Sequence, residues 1–194
     1  MFFVGRAGNI IRYSSGTWQR VESGTTVDIK DIWGGRNSKT QQLEIACIAS
    51  LGAQFPQARK LLRIEWMAVT SLPDSGLPLN LYSIWFKPGS VGYLTGSGIF
   101  RKLAPFEETT PWTALYPGVP SYHTTSIRAN DINDIFIVGD FGEALHFNGI
   151  SWHSYRDIVG LANGIYKAVA YKGNQVIAVG FAGDRAIAVR GTRQ

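Results

Sequence analysis

The sequence predicts an all-β protein, a β-propeller of four-stranded antiparallel blades, on three observations: a repeat, a recurring tryptophan and a recurring pair of turn glycines. The repeat is plainest where Arg6-Ala7-Gly8-Asn9-Ile10-Ile11-Arg12-Tyr13 and then Gly16-Thr17-Trp18 return as Phe141-Gly142-Glu143-Ala144-Leu145-His146-Phe147-Asn148 and Gly149-Ile150-Ser151-Trp152. A period of roughly 40 to 48 residues, made of short alternating strands, is what one blade per repeat produces. Trp18, Trp66, Trp112 and Trp152 fall at equivalent positions, and blades buried on their faces need a large filler at the same place in each. Glycines recur in pairs at 5 and 8, 96 and 98, 139 and 142, and 180 and 183. Such pairs mark turns that need positive φ or a close backbone approach. No apolar stripe of 3.6-residue period is present, so little helix is expected.

With the strands of each unit lettered A to D, the chain begins at B. Phe2 to Gly5 is a B strand, Ile10 to Tyr13 a C strand, and a D strand starts at Thr17-Trp18. The second unit reads A from Ile29 to Trp33, B from Leu43 to Ile48, C from Leu61 to Ile64 and D from Glu65-Trp66. It carries two long connections, Gly52 to Ala58 with a proline, and Ser71 to Pro78. The third reads A from Leu81 to Phe86, B from Val91 to Thr95, C from Ile99 to Leu103 and D from Pro111-Trp112. The fourth is the best preserved: Thr124 to Arg128, Ile135 to Gly139, Ala144 to Phe147, the hairpin signal Asn148-Gly149, then Ser151-Trp152. The fifth has A from Tyr166 to Tyr171, B from Val176 to Gly180 and C from Ala186 to Arg190. The five units occupy approximately 1–27, 28–80, 81–122, 123–164 and 165–194 of one continuous domain. Three are complete and two partial, and the incomplete terminal blades expose strand edges that favour homo-oligomers.

Composition narrows the partners. Apolar residues make up 45% of the chain and charged residues 17%, which suits a packed core and not disorder. The net charge is +5, but lysine and arginine are scattered, and Arg59-Lys60-Leu61-Leu62-Arg63 alternates as the outward face of a strand would. No nucleic acid is expected as a partner. Cys47, the sole cysteine, sits in an apolar run and reads as a buried inert thiol. Met1-Phe2-Phe3-Val4 is too short for a signal peptide, and no apolar run approaches the ~18 residues of a membrane span.

The pattern resembles the tandem propeller repeats of bacterial secreted and cell-surface proteins. The stretches that carry the likeness are Phe3-Val4-Gly5, Ser15-Gly16-Thr17-Trp18, Ser23-Gly24-Thr25-Thr26, Ile32-Trp33-Gly34 and Ile135 through Trp152. That resemblance implies an extracellular, cell-surface or periplasmic protein, and its motif residues are turns and packing rings, silent about activity. A second resemblance is to the Asp-box of sialidase-type propellers, at Tyr13 to Trp18 and Phe147 to Trp152, with the aspartate missing from both copies.

Chemistry is sparse. His146 and His153 lie on strands of one blade and read as sheet or seam residues, whereas His123 lies in a D–A connection. Asn130-Asp131-Ile132-Asn133-Asp134 has the carboxylates of a calcium loop but not its glycine and glutamate, and reads as an Asx turn. No metal and no cofactor is expected. The sequence therefore predicts a non-catalytic module that binds a protein or glycan through its B–C and D–A loops. Arg6, Tyr122, His123, Asp140, Arg156 and Asp184 are its candidate ligand residues, because no turn or packing rule demands them. The alternatives are a carbohydrate-active enzyme of sialidase or glycosidase type, which needs two carboxylates or three arginines converging at one mouth, and a structural segment of a larger surface protein.

Overall fold

The computed structural model describes residues 1–51, 59–115, 123–161 and 163–193. It contains five antiparallel sheets, each a meander whose strand order follows the chain. Sheet one is β1 (Phe2–Val4), β2 (Ile10–Ser14) and β3 (Thr17–Val21). Sheet two is β4 (Ile29–Arg36), β5 (Leu43–Ser50), β6 (Arg59–Glu65) and β7 (Ala68–Leu72). Sheet three is β8 (Leu81–Phe86), β9 (Gly92–Gly96), β10 (Gly98–Lys102) and β11 (Thr113–Ala114). Sheet four is β12 (Thr124–Asp131), β13 (Asp134–Gly139), β14 (Ala144–Phe147) and β15 (Trp152–Ser154), followed by the single turn of helix α1 (Arg156–Val159). Sheet five is β16 (Gly164–Lys172), β17 (Gln175–Ala182) and β18 (Arg185–Thr192). Three sheets thus have four strands and two have three, as the lettering predicts. Among the described residues no ladder joins the first sheet to the last.

Alternation along the strands does the packing. In β5, Ile45, Cys47 and Ala49 face sheet one, while Ala46 and Ile48 face sheet three. Because side chains point to opposite faces with period two, one strand serves two seams. Each of the four seams has its own apolar cluster. Ile10 and Val21 meet Ile29 and Leu62; Ala46 and Ile48 meet Leu81 and Ile84; Trp85 and Tyr93 meet Ile127 and Ile137; Val138 and Ala144 meet Tyr166 and Val169. The first strands of successive sheets are neighbours, β4 beside β8, β8 beside β12 and β12 beside β16. Cys47 is 0% exposed, and burial pushes its thiol up to about 12, with the Asp31 charge adding to it. No helix is long and apolar enough to cross a membrane.

Among the described residues the two outermost faces have no sheet packed on them. On sheet one Phe3, Ile11, Tyr13 and Trp18 are exposed, and on sheet five Ile177, Val179 and Phe181 are. This corrects the expectation that all four D-strand tryptophans fill seams. Trp112 is buried and Trp152 packs against the cluster between sheets three and four. Trp18 is 60% exposed because, among the described residues, nothing packs on that face of the first sheet. Trp66 is not in a strand: it occupies the turn between β6 and β7 with φ 58°, is 74% exposed, and lies under the Arg12 guanidinium at 3.9 Å.

Candidate functional site

Strands β4, β8, β12 and β16 each contain a register shift at the same place near their start; β12 has a second between Ala129 and Asp131. The four equivalent shifts lie between Ile29 and Asp31, Leu81 and Ser83, Thr124 and Ser126, and Tyr166 and Ala168. A bulge leaves one residue unpaired and turns its side chain away from the regular alternation. Here the four extra residues are Lys30, Tyr82, Thr125 and Lys167. All four line one cavity of about 380 Å³, completed by His123, Asp140 and Ile165.

The residue after each bulge fixes this arrangement. Asp31 Oδ2 accepts from the Ile84 N–H at 3.0 Å, Ser83 Oγ from the Ile127 N–H at 3.2 Å, and Ser126 Oγ from the Val169 N–H at 3.2 Å. Each first strand is therefore stapled to the next. Arg128 reinforces the series with two bonds to Asp31, Nη1 to Oδ2 at 3.0 Å and Nη2 to Oδ1 at 3.1 Å, and lies 5.3 Å from the Trp33 ring. Trp33 and Trp85, equivalent residues late in the first strands, are 6.4 Å apart.

Inside the cavity the charges are partly matched. Lys30 Nζ is 3.3 Å from Asp28, whose carboxyl is held below the usual range first by the Ala7 N–H and then by Lys30. Lys167 Nζ lies 5.4 Å from the Phe181 ring. His123 Nδ1 is 3.7 Å from Asp140 Oδ2, and its ring centroid is 5.7 Å from that of Tyr82. The Tyr82 hydroxyl is pushed above its ordinary pKa by burial and then by the Asp140 charge. Thr125 Oγ1 has two carbonyls to donate to, those of Val138 and Tyr166.

Of the six residues singled out from sequence, the structure brings His123 and Asp140 into this cavity. Arg156 lies 5.7 Å from the ring of Phe141, the neighbour of Asp140. Arg6, in the 3-10 turn Arg6–Gly8, and Asp184, in the turn after β17, are exposed and do not line it. Tyr122 and the Gly52 to Ala58 connection lie outside the described residues. Lys30, Tyr82, Thr125 and Lys167 were missed. Their signal was present as a recurring segment, Ile29-Lys30-Asp31-Ile32, Leu81-Tyr82-Ser83-Ile84, Thr124-Thr125-Ser126-Ile127 and Tyr166-Lys167-Ala168-Val169, read as plain strand.

A second polar cluster occupies the opposite end of sheets four and five. Asp134 accepts from Tyr171 Oη at 2.6 Å, His146 Nε2 at 2.8 Å and Asn130 Nδ2 at 2.9 Å, with Arg193 Nη1 at 3.3 Å. Burial alone would raise the Asp134 pKa; the hydrogen bonds from Asn130, Tyr171 and His146 and the Arg193 charge outweigh it, and the carboxyl sits below its ordinary range. The same contact acts oppositely on Tyr171, which burial, then the bond to Asp134 and its charge, push up to about 12. The folded chain keeps this proton over a range in which the unfolded chain has lost it, so stability falls as pH rises from the ordinary 10 to about 12. Urea midpoints measured across that window should decline more steeply for the parent than for Tyr171→Phe; parallel curves would contradict it.

No protein-family model matches the chain, and no curated protein does. Among solved structures the fold is similar to that of YCF48 bound to D1 peptide, with a TM-score of 0.68 at 15% identity. The match covers 100% of this chain and spans 60% of that one. At this identity the likeness bears on the fold alone, and it supports a β-propeller.

Proposed function

We propose that the chain is a non-catalytic interaction module that takes an acidic, extended protein segment at the mouth where its first strands converge. One observation carries this: four bulges at equivalent positions turn Lys30, Tyr82, Thr125 and Lys167 into a single cavity with His123 and Asp140. Packing alone does not require a bulge in every first strand, and bulges recur where a sheet must re-aim a side chain toward a ligand. The two lysines supply ammonium donors for carboxylates, Tyr82 and His123 an aromatic wall, and Thr125 a hydroxyl. A structure of similar fold has a peptide bound. Glycoside hydrolysis needs two carboxylates facing one cleft, and the described lining contributes one, Asp140. Arg156 lies by the ring of Phe141, the residue after Asp140, while Arg6 and Asp184 belong to the equivalent turns of the two terminal sheets.

Fluorescence anisotropy with a labelled peptide of alternating glutamate and leucine tests the proposal. Binding should weaken as salt rises, and Lys30→Gln with Lys167→Gln should weaken it by about tenfold or more, the worth of one charge-assisted hydrogen bond. Equal affinity for parent and double variant would refute it.

A further inference from the structure

The second strands of sheets two, three and four can be aligned on the residue that opposes the start of each bulge. Ala49, Gly96 and Gly139 oppose Ile29, Leu81 and Thr124, and three residues earlier stand Ala46, Tyr93 and Phe136. All three side chains face the next sheet. Ala46 lies in the cluster of Leu81 and Ile84, Tyr93 in that of Ile127 and Ile137, and Phe136 packs against that of Tyr166. Their ladder partners on the third strand are Arg63, Arg101 and His146. Two seams therefore hold a ring beside a nitrogen-bearing side chain. The seam between sheets two and three has the guanidinium but only a methyl group in place of the ring.

A cavity of about 230 Å³ occupies that seam, lined by Ala46, Arg63, Leu72, Phe86, Pro105 and Phe106. Phe86 and Phe106, with ring centroids 5.0 Å apart, form its aromatic wall. Arg63 Nε is 2.7 Å from Glu65 and Nη1 meets Glu107, while Nη2 makes no hydrogen bond among the described residues. In the next seam the equivalent guanidinium acts on a phenol: burial raises the Tyr93 pKa, and the Arg101 charge and hydrogen bond oppose it. In the one after, the Phe136 ring stacks on His146 at 4.7 Å.

We propose that this cavity binds a phenol ring from outside the chain, the ring against Phe86 and Phe106 and the hydroxyl oxygen accepting from Arg63 Nη2. The ligand thereby restores the pairing that Tyr93 makes with Arg101. Size and charge both point to this class. A six-membered ring is what Ala46 lacks beside its two counterparts. A neutral hydroxyl suits a guanidinium already matched by Glu65 and Glu107, whereas a carboxylate would meet the charges of Glu44 and Glu107, which also line the cavity. No lining residue is shared with the cavity of the four bulges, and neither site depends on the other.

Titration of p-cresol into the full chain, followed by amide NMR shifts, tests this. Binding should have a Kd below about 1 millimolar and move the signals of Ala46, Leu72 and Phe106. Toluene, which lacks the hydroxyl, should bind at least about tenfold more weakly, the worth of a hydrogen bond to a charged group. Arg63→Met should erase that preference and leave toluene binding as it was. Ala46→Tyr supplies the ring from within and should abolish binding; if circular dichroism shows that overpacking unfolds it, the Arg63→Met comparison decides. A blocked Gly-Tyr-Gly peptide separates the two sources of the ring: tighter binding than p-cresol supports a tyrosine side chain of a partner protein, weaker binding a free phenol. A weaker Kd for p-cresol, equal affinity of the parent for p-cresol and toluene, or undiminished binding by a folded Ala46→Tyr would each overturn the proposal.

Discussion

Arg128→Ala should lower the unfolding free energy by about 3 kcal/mol, more than any exposed ion pair on this chain could contribute. The arginine makes two bonds to Asp31 and a third, at 3.2 Å, to Ser83 Oγ, and the two side chains are only 25% and 13% exposed. Removing it leaves the Asp31 carboxylate between sheets two, three and four with no cation, and only the Ser83 hydroxyl and the Ile32 and Ile84 N–H groups for compensation. Removing both partners should cost less than the sum of the single losses, since the double variant carries no unpaired charge. Urea unfolding of the four chains of the double-mutant cycle measures this. Single losses under about 1 kcal/mol, or strict additivity, would show that the pair is solvated and that the staple series stands without it.

Gly96→Ala should be about as damaging, near 3 kcal/mol, for a different reason. A Cβ at this position would fall 1.9 Å from the Asn80 carbonyl oxygen, at Gly180 1.9 Å from that of Ile165, and at Gly139 2.5 Å from that of His123. Gly96 and Gly139 end a second strand and Gly180 lies near the end of one, each where it crosses the entry to the first strand of its own sheet, and backbone cannot move aside as a side chain can. Gly16→Ala is the control: φ there is 81° but nothing lies within 4 Å, so it should cost only the backbone strain, about 1 kcal/mol. Thermal midpoints of the two variants should therefore differ widely; equal midpoints would mean that the sheet entry relaxes.

These glycines show how much of the fold the sequence makes legible. Positions 5, 96, 139 and 180 and their partners 8, 98, 142 and 183 are visible as a pattern, and the structure divides the work between them. The second of each pair has positive φ, from 58° to 108°, while three of the first four are held by close approach. Strand order and the three-strand terminal sheets follow from periodicity, because they depend on spacing alone. The candidate site does not. Whether Lys30 or Lys167 points into a shared cavity depends on a one-residue slip in register, which reverses the facing of a side chain and leaves composition unchanged. Trp18 and Trp66 mislead for a related reason: a repeat specifies what each unit offers its neighbour, not whether the neighbour or the strand start is present.

Because each seam has its own apolar cluster, the packing of one sheet on another in this chain is almost all between adjacent sheets. Such an array behaves as a one-dimensional lattice, and its ends, with one neighbour each, open first. The Asp31–Arg128 pair departs from that rule by linking sheet two to sheet four across sheet three. Sheets two to four should consequently melt as one cooperative kernel, with sheets one and five fraying from it independently.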